Sequence, residues 1–62
     1  MNRQIVDKFI LRCGIGPVVT DINIVDNNCQ IALKGGYSMM LEVIDGILYK
    51  NGEAYCIANS LL

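Results

Sequence analysis

The sequence predicts an α+β domain in which an N-terminal amphipathic helix packs on one face of a small antiparallel β-meander of four to five strands. Three features predict this fold: apolar residues repeat at helical spacing before Pro17, they repeat with a period of two after it, and two strong hairpin signals follow. A chain of 62 residues has room for one hydrophobic core, so we expect a single domain over residues 1–62.

The helix is predicted over residues 2–13, where charged side chains occupy the side opposite the apolar ones. Asn2 can cap its first turn, and Gly14 can take the left-handed conformation that ends a helix. Pro17 then blocks continuation. Several β-branched residues lower the helix propensity of this segment, so a strand remains the alternative. The apolar face of the helix consists of Ile5, Val6, Phe9, Ile10 and Cys13.

Alternating apolar residues and turn residues divide the rest of the chain into strands. Asp45-Gly46 and Asn51-Gly52 are the strongest hairpin signals, because type I′ turns need positive φ at both central residues. Two such turns leave the fourth strand only four residues, so a wider loop or a bulge at one of them remains open. In the first strand, one face should carry Val18, Thr20, Ile22 and Ile24. The strands are predicted at residues 18–25, 29–34, 37–44, 47–50 and 53–58.

Two-residue turns fix the register of the last three strands. Val43 should therefore oppose Leu48, and Leu48 should oppose Tyr55. We expect the helix to pack on the face that carries these three residues. The same face should also carry Tyr37, Met39, Leu41 and Ile57. The opposite face should carry one main charge, Glu42, among the apolar residues Met40, Ile44, Ile47, Tyr49, Ala54 and Cys56.

This second apolar face predicts an interaction surface. One short helix covers only one side of a sheet, and a large apolar patch on a soluble protein usually marks an interaction site. The alternatives are that residues 57–62 fold over the face, or that the sheet curls into a small barrel. We expect a homodimer through this face, and contact with a larger protein. The predicted interface residues are Met40, Ile44, Ile47, Tyr49 and Cys56.

Composition and charge exclude several classes of partner. Charged residues interrupt every long apolar run, and the N-terminus has no secretory pattern, so we expect no membrane span and a cytoplasmic location. The three cysteines are then expected to be reduced. The net charge is −1, and the five basic residues are scattered, which disfavours a nucleic-acid-binding surface.

The sequence contains no constellation that is typical of catalysis or metal binding. It has no histidine, which excludes the Ser-His-Asp and Cys-His arrangements. Cys13 lies at the C-terminal end of the predicted helix, where the dipole disfavours a thiolate. The spacing of Cys13, Cys29 and Cys56 lacks the close pairs of a zinc site, and the glycines complete no nucleotide-binding fingerprint. We therefore expect no enzyme, no metal and no cofactor.

The function expected from these features is that of a small non-enzymatic protein-binding module that inhibits or modulates a larger protein. A phage- or plasmid-encoded inhibitor of a host system is one form of this function. Two alternatives remain open. A protein that sequesters a small ligand would hold it at the dimer seam. A weak nucleic-acid-binding regulator would need its dispersed basic residues to converge in the fold.

Overall fold

The computed structural model describes all 62 residues as one α-helix and five strands. The strands form a single antiparallel sheet in the order β1-β2-β3-β4-β5, so the predicted α+β meander is confirmed. No helix has the length and the apolar composition needed to cross a bilayer. The elements are α1 (Arg3–Cys13), β1 (Val19–Val25), β2 (Asn28–Leu33), β3 (Ser38–Ile44), β4 (Ile47–Lys50) and β5 (Glu53–Ile57). Three short 3₁₀ helices join or end them: Gly16–Val18, Lys34–Gly36 and Ala58–Leu61.

The ends of α1 follow from the residues that flank it. The Gln4 amide donates a hydrogen bond of 2.8 Å to the side-chain oxygen of Asn2, which satisfies a donor that the first turn leaves free. Gly14 takes φ 68°, a left-handed conformation that is common at helix C-termini. Arg3 and Asp7, one turn apart, form an exposed ion pair at 2.9 Å. The capping residues expected from the sequence therefore bound this helix.

The core lies between α1 and one face of the sheet. The helix contributes three buried residues, the sheet contributes four from β2, β3 and β4, and the C-terminal 3₁₀ helix contributes two. Burial of these side chains is the main favourable contribution to folding. The buried residues are Ile5, Val6, Phe9, Cys29, Ile31, Leu41, Leu48, Ala58 and Leu61.

Both predicted hairpin turns contain two residues with positive φ. Asp45 and Gly46 take φ 50° and 79°, and Asn51 and Gly52 take 50° and 84°. Asn51 also extends the pairing of β3 with β4. Its amide donates to the Met40 carbonyl oxygen at 2.8 Å, and its side-chain oxygen accepts from the Met40 amide at 2.9 Å. These bonds hold the short strand β4 in register against β3.

Each edge strand of the sheet contains a bulge, which changes the predicted register. In β5, Leu48 pairs with Cys56 and Tyr49 with Ala54, so Tyr55 has no partner of its own. The predicted pairing of Leu48 with Tyr55 is therefore wrong. Both turns keep two residues and β4 has only four, so the alternative of a wider loop or bulge at one of the turns is also wrong; the bulge lies within β5.

In β1, the pairs of Val19 with Leu33 and of Asp21 with Ala32 leave Thr20 as the extra residue. Val19 therefore packs against the core together with Ile22 and Ile24, in the place expected for Thr20. Val18 belongs to the preceding 3₁₀ helix and is exposed.

The bulge in β5 also exchanges two residues between the faces of the sheet. Cys56 pairs with Leu48 and packs against the core, so its predicted position on the opposite face is wrong. Ile57 pairs with Ile47 and is 63% exposed, so its predicted position on the helix face is also wrong. Tyr37, likewise assigned to the helix face, precedes β3 and is exposed. One inserted residue shifts the alternation of every position after it, because side chains alternate with a period of two.

Candidate functional site

The candidate site is the outer face of the sheet, on the side opposite α1. Residues paired across antiparallel strands point to the same face, so the register assigns every strand position to one side. The outward positions of β1 and β2 are mostly polar, and those of β3, β4 and β5 are mostly apolar. The outer face consists of Asp21, Asn23, Val25, Asn28, Gln30, Ala32, Ser38, Met40, Glu42, Ile44, Ile47, Tyr49, Ala54 and Ile57.

Three isoleucines form a continuous row across the outer face. Ile44 of β3 pairs with Ile47 of β4, and Ile47 pairs with Ile57 of β5. Tyr49 is the next outward residue of β4, and Met40 lies beyond Glu42 along β3. We call these five residues the apolar patch. Four of them are residues that the sequence predicted for the interface, whereas Ile57 is added by the bulge and was missed because nothing in the sequence marks the extra residue.

The apolar patch has no cover within the chain. Met40, Ile44 and Ile57 remain 44%, 45% and 63% exposed, and Ile47 and Tyr49, between them, are half-buried. The C-terminal 3₁₀ helix, which could have covered the patch, packs against α1 with Ala58 and Leu61 buried in the core. The sheet is also open, since β1 and β5 are not paired, so it does not form a barrel. Both of the covered arrangements considered from the sequence are therefore wrong.

Glu42 lies in the middle of the outer face with no compensating charge. It pairs with Asn28 on one side and Tyr49 on the other, and Met40 and Ile44 are its outward neighbours along β3. Its side chain is partly buried and makes no ion pair or hydrogen bond within the chain, in which Arg3–Asp7 is the only salt bridge. The carboxylate therefore relies on solvent alone for its stabilisation.

The outer face differs in charge from the side that carries α1. No outward strand position is basic, whereas Asp21 and Glu42 are outward and Asp45 lies in the adjoining β3–β4 turn. Three of the five basic residues, Arg3, Lys8 and Arg12, belong to α1 on the opposite side. The outer face is therefore acidic as well as partly apolar.

The cysteines lie among core residues and pair with no other cysteine. Burial raises the pKa of the Cys29 thiol, and Arg3 and the amino terminus only partly oppose this shift. The Cys13 sulfur lies 3.8 Å from the Tyr55 hydroxyl, and this contact raises the pKa of Tyr55. The Tyr55 ring also packs edge-on against Phe9 at 5.3 Å, so the bulged residue closes one side of the core.

The surface of the molecule carries four depressions, all open to solvent, with volumes of about 170 to 450 Å³. The largest lies over outward residues of β1 and β2, among them Asp21, Asn23 and Gln30. No group of three or more metal-ligating side chains lies close together. Comparison of the chain with protein-family models, curated proteins and solved structures finds no match.

Proposed function

We propose that this chain is a non-enzymatic protein-binding module that inhibits or modulates a larger protein through the outer face of its sheet. The observation that supports this proposal is the apolar patch, which no element of the chain covers. Exposed apolar patches with a polar rim are typical of protein interaction sites, and aromatic residues and methionine are enriched in such sites. The module acts in the cytoplasm, where three free cysteines stay reduced.

The face of the sheet, rather than its edges, is the binding surface in this proposal. An unpaired edge strand can recruit a further strand, and proteins prevent this with bulges that distort the edge. Both edge strands here contain such a bulge, at Thr20 in β1 and at Tyr55 in β5. Strand addition is therefore disfavoured at either edge, whereas the pairing of β3 with β4 beneath the patch is regular.

In the absence of its partner, two copies of the chain associate through the same patch. A standard interface buries about 800 Å² from each partner, which is about a fifth of the 4000 Å² surface of this chain. An interface of that size extends beyond the five residues of the patch and covers the uncompensated Glu42 carboxylate of each copy. Covering an uncompensated charge weakens such a contact, so we expect a dissociation constant in the micromolar range.

Replacing Ile44 with aspartate should weaken the association of two copies, because it places a charge in the isoleucine row. We expect the dissociation constant of self-association to rise at least about tenfold, as measured by sedimentation velocity over a concentration series. Val18→Asp is the matched control, since Val18 has nearly the same exposure, 41%, but lies outside the sheet. Wild-type protein that stays monomeric at about 100 µM would contradict the proposed homodimer.

Tyr49→Ala should weaken capture of the larger partner from cells of the native host. Tyrosine is enriched among the few hot-spot residues of interfaces, and truncation of a hot spot costs about 2 kcal/mol or more of binding free energy, or about thirtyfold in affinity. Tyr37→Ala is the control, because Tyr37 is 72% exposed but lies before β3 and outside the patch. Partner yields are compared by quantitative mass spectrometry of the tagged proteins.

Equal capture of the partner by the wild type and by Tyr49→Ala would show that the outer face is not the binding surface. If no protein is enriched and native mass spectrometry reveals a retained compound, a ligand-sequestering function replaces this one. A salt-dependent shift of nucleic acid in a gel would instead favour the nucleic-acid-binding alternative.

A further inference from the structure

The charges around the apolar patch constrain what can bind there. Glu42 lies directly between the isoleucine row and Met40, and its cross-strand neighbour is Tyr49. A partner that covers the patch also covers this carboxylate and removes water from it. A carboxylate that loses its water without gaining a partner is unfavourable, so the partner should supply a hydrogen-bond donor, and a cation is the strongest donor for it.

The dimensions of the patch constrain the shape of the partner. The three strands β3, β4 and β5 span about 10 Å, which is the diameter of one α-helix with its side chains. From Met40 to Ile44 the patch extends about 14 Å along β3, which corresponds to about nine residues of helix. A single helix lying along β4 therefore fits the patch, as α1 fits the other face of the sheet.

We propose that the outer face binds an amphipathic helix of a partner protein, with an apolar stripe that covers the isoleucine row and a lysine or arginine beside the stripe that pairs with Glu42. This inference rests on the proposed function and specifies the partner of the same site. Asp45, in the turn that follows Ile44, adds a carboxylate at one end of the patch, and no outward strand residue repels a basic helix.

A second copy of this chain fits the site less well than such a helix. The apolar stripe of its own α1 is buried in the core, and Leu11 is the only large apolar residue that this helix leaves exposed. Pairing two outer faces instead covers the Glu42 carboxylate of each copy, with no basic residue at any outward strand position to compensate it. Self-association and partner binding compete for one patch, and the basic helix is the stronger competitor.

Two synthetic 18-residue helical peptides test this inference, because they share one leucine stripe and differ only in having lysines or glutamates beside it. Their affinities for the folded chain are measured by fluorescence anisotropy, and the site is mapped by amide chemical shifts. We expect the lysine peptide to bind at least about tenfold more tightly than the glutamate peptide. It should also shift the amide signals of Glu42, Ile44 and Tyr49. Higher salt should reduce this difference.

Glu42→Gln should reduce the affinity for the lysine peptide about three- to tenfold and leave that for the glutamate peptide unchanged or slightly higher. Glu53→Gln is the matched control and should change neither affinity, because Glu53 begins β5 opposite Lys50, at an exposed position away from the patch. Equal binding of both peptides at the patch would overturn the basic partner but leave the protein-binding function intact. If the peptides shift only amide signals of α1, or none at all, the basic helix is overturned, whereas the capture experiment with Tyr49→Ala decides the outer-face function separately.

Discussion

Replacing Leu41 with alanine is expected to lower the free energy of unfolding by about 2 to 5 kcal/mol, because the Leu41 side chain is fully buried between β3 and α1. At about 0.05 to 0.15 kcal/mol per residue, a 62-residue domain has a total stability of about 3 to 9 kcal/mol. This single truncation therefore removes a large share of that stability. Urea titrations followed by circular dichroism measure the change.

Met40→Ala is the matched control for Leu41→Ala, since the two residues are adjacent in β3 and point to opposite faces. Met40 is 44% exposed, so its truncation should change stability by less than about 1 kcal/mol when the protein is dilute enough to be monomeric. If Leu41→Ala is unfolded in buffer, Leu41→Val gives a smaller and measurable loss. Equal losses at the two positions would show that the assignment of faces is wrong.

Replacing Leu61 with alanine is expected to cost about 2 to 4 kcal/mol, although the residue lies next to the end of the chain. Chain termini are usually poorly ordered and tolerant of change. Here, however, Leu61 is only 4% exposed and packs with α1, and the Ala58 amide donates to the Gly46 carbonyl oxygen at 2.8 Å. The C-terminal 3₁₀ helix therefore contributes to the core.

Leu62→Ala provides the control for this second experiment. Leu62 is 59% exposed, so we expect its truncation to change stability by no more than about 0.5 kcal/mol. Hydrogen exchange gives a second measurement, because a packed C-terminus protects the Ala58 amide. Negligible losses of stability in both variants, with fast hydrogen exchange at the Ala58 amide, would contradict this packing. They would mean that the C-terminal 3₁₀ helix frays and does not cover that end of the core.

Local patterns in the sequence predicted the helix and the hairpins because their causes are local. Asn2 caps α1 and Gly14 ends it, and both act within a few residues of the chain. Asp45-Gly46 forms its two-residue turn because positive φ costs little at glycine and is tolerated by aspartate. The outward placement of Met40, Ile44, Ile47 and Tyr49 followed from alternation between these turns.

The bulges were not predictable in position, because no local pattern separates an inserted residue from an ordinary strand residue. Tyr55 leaves the ladder of β5 and packs against Phe9 and Cys13, contacts that exist only once α1 lies on the sheet. That single insertion moves Cys56 into the core and Ile57 onto the apolar patch.

The sequence by itself determined the α+β meander, the limits of the helix, the hairpin turns and most of the outer face. These features depend on hydrophobic periodicity and on backbone preferences, which each segment carries within itself. The tertiary structure alone decided that the C-terminal 3₁₀ helix packs beside α1 rather than over the apolar patch, and that the sheet stays open. It also decided that Glu42 lies without a counter-charge, because the basic residues of α1 are held on the opposite side of the sheet. Such features arise from contacts between segments distant in sequence, which no local pattern specifies.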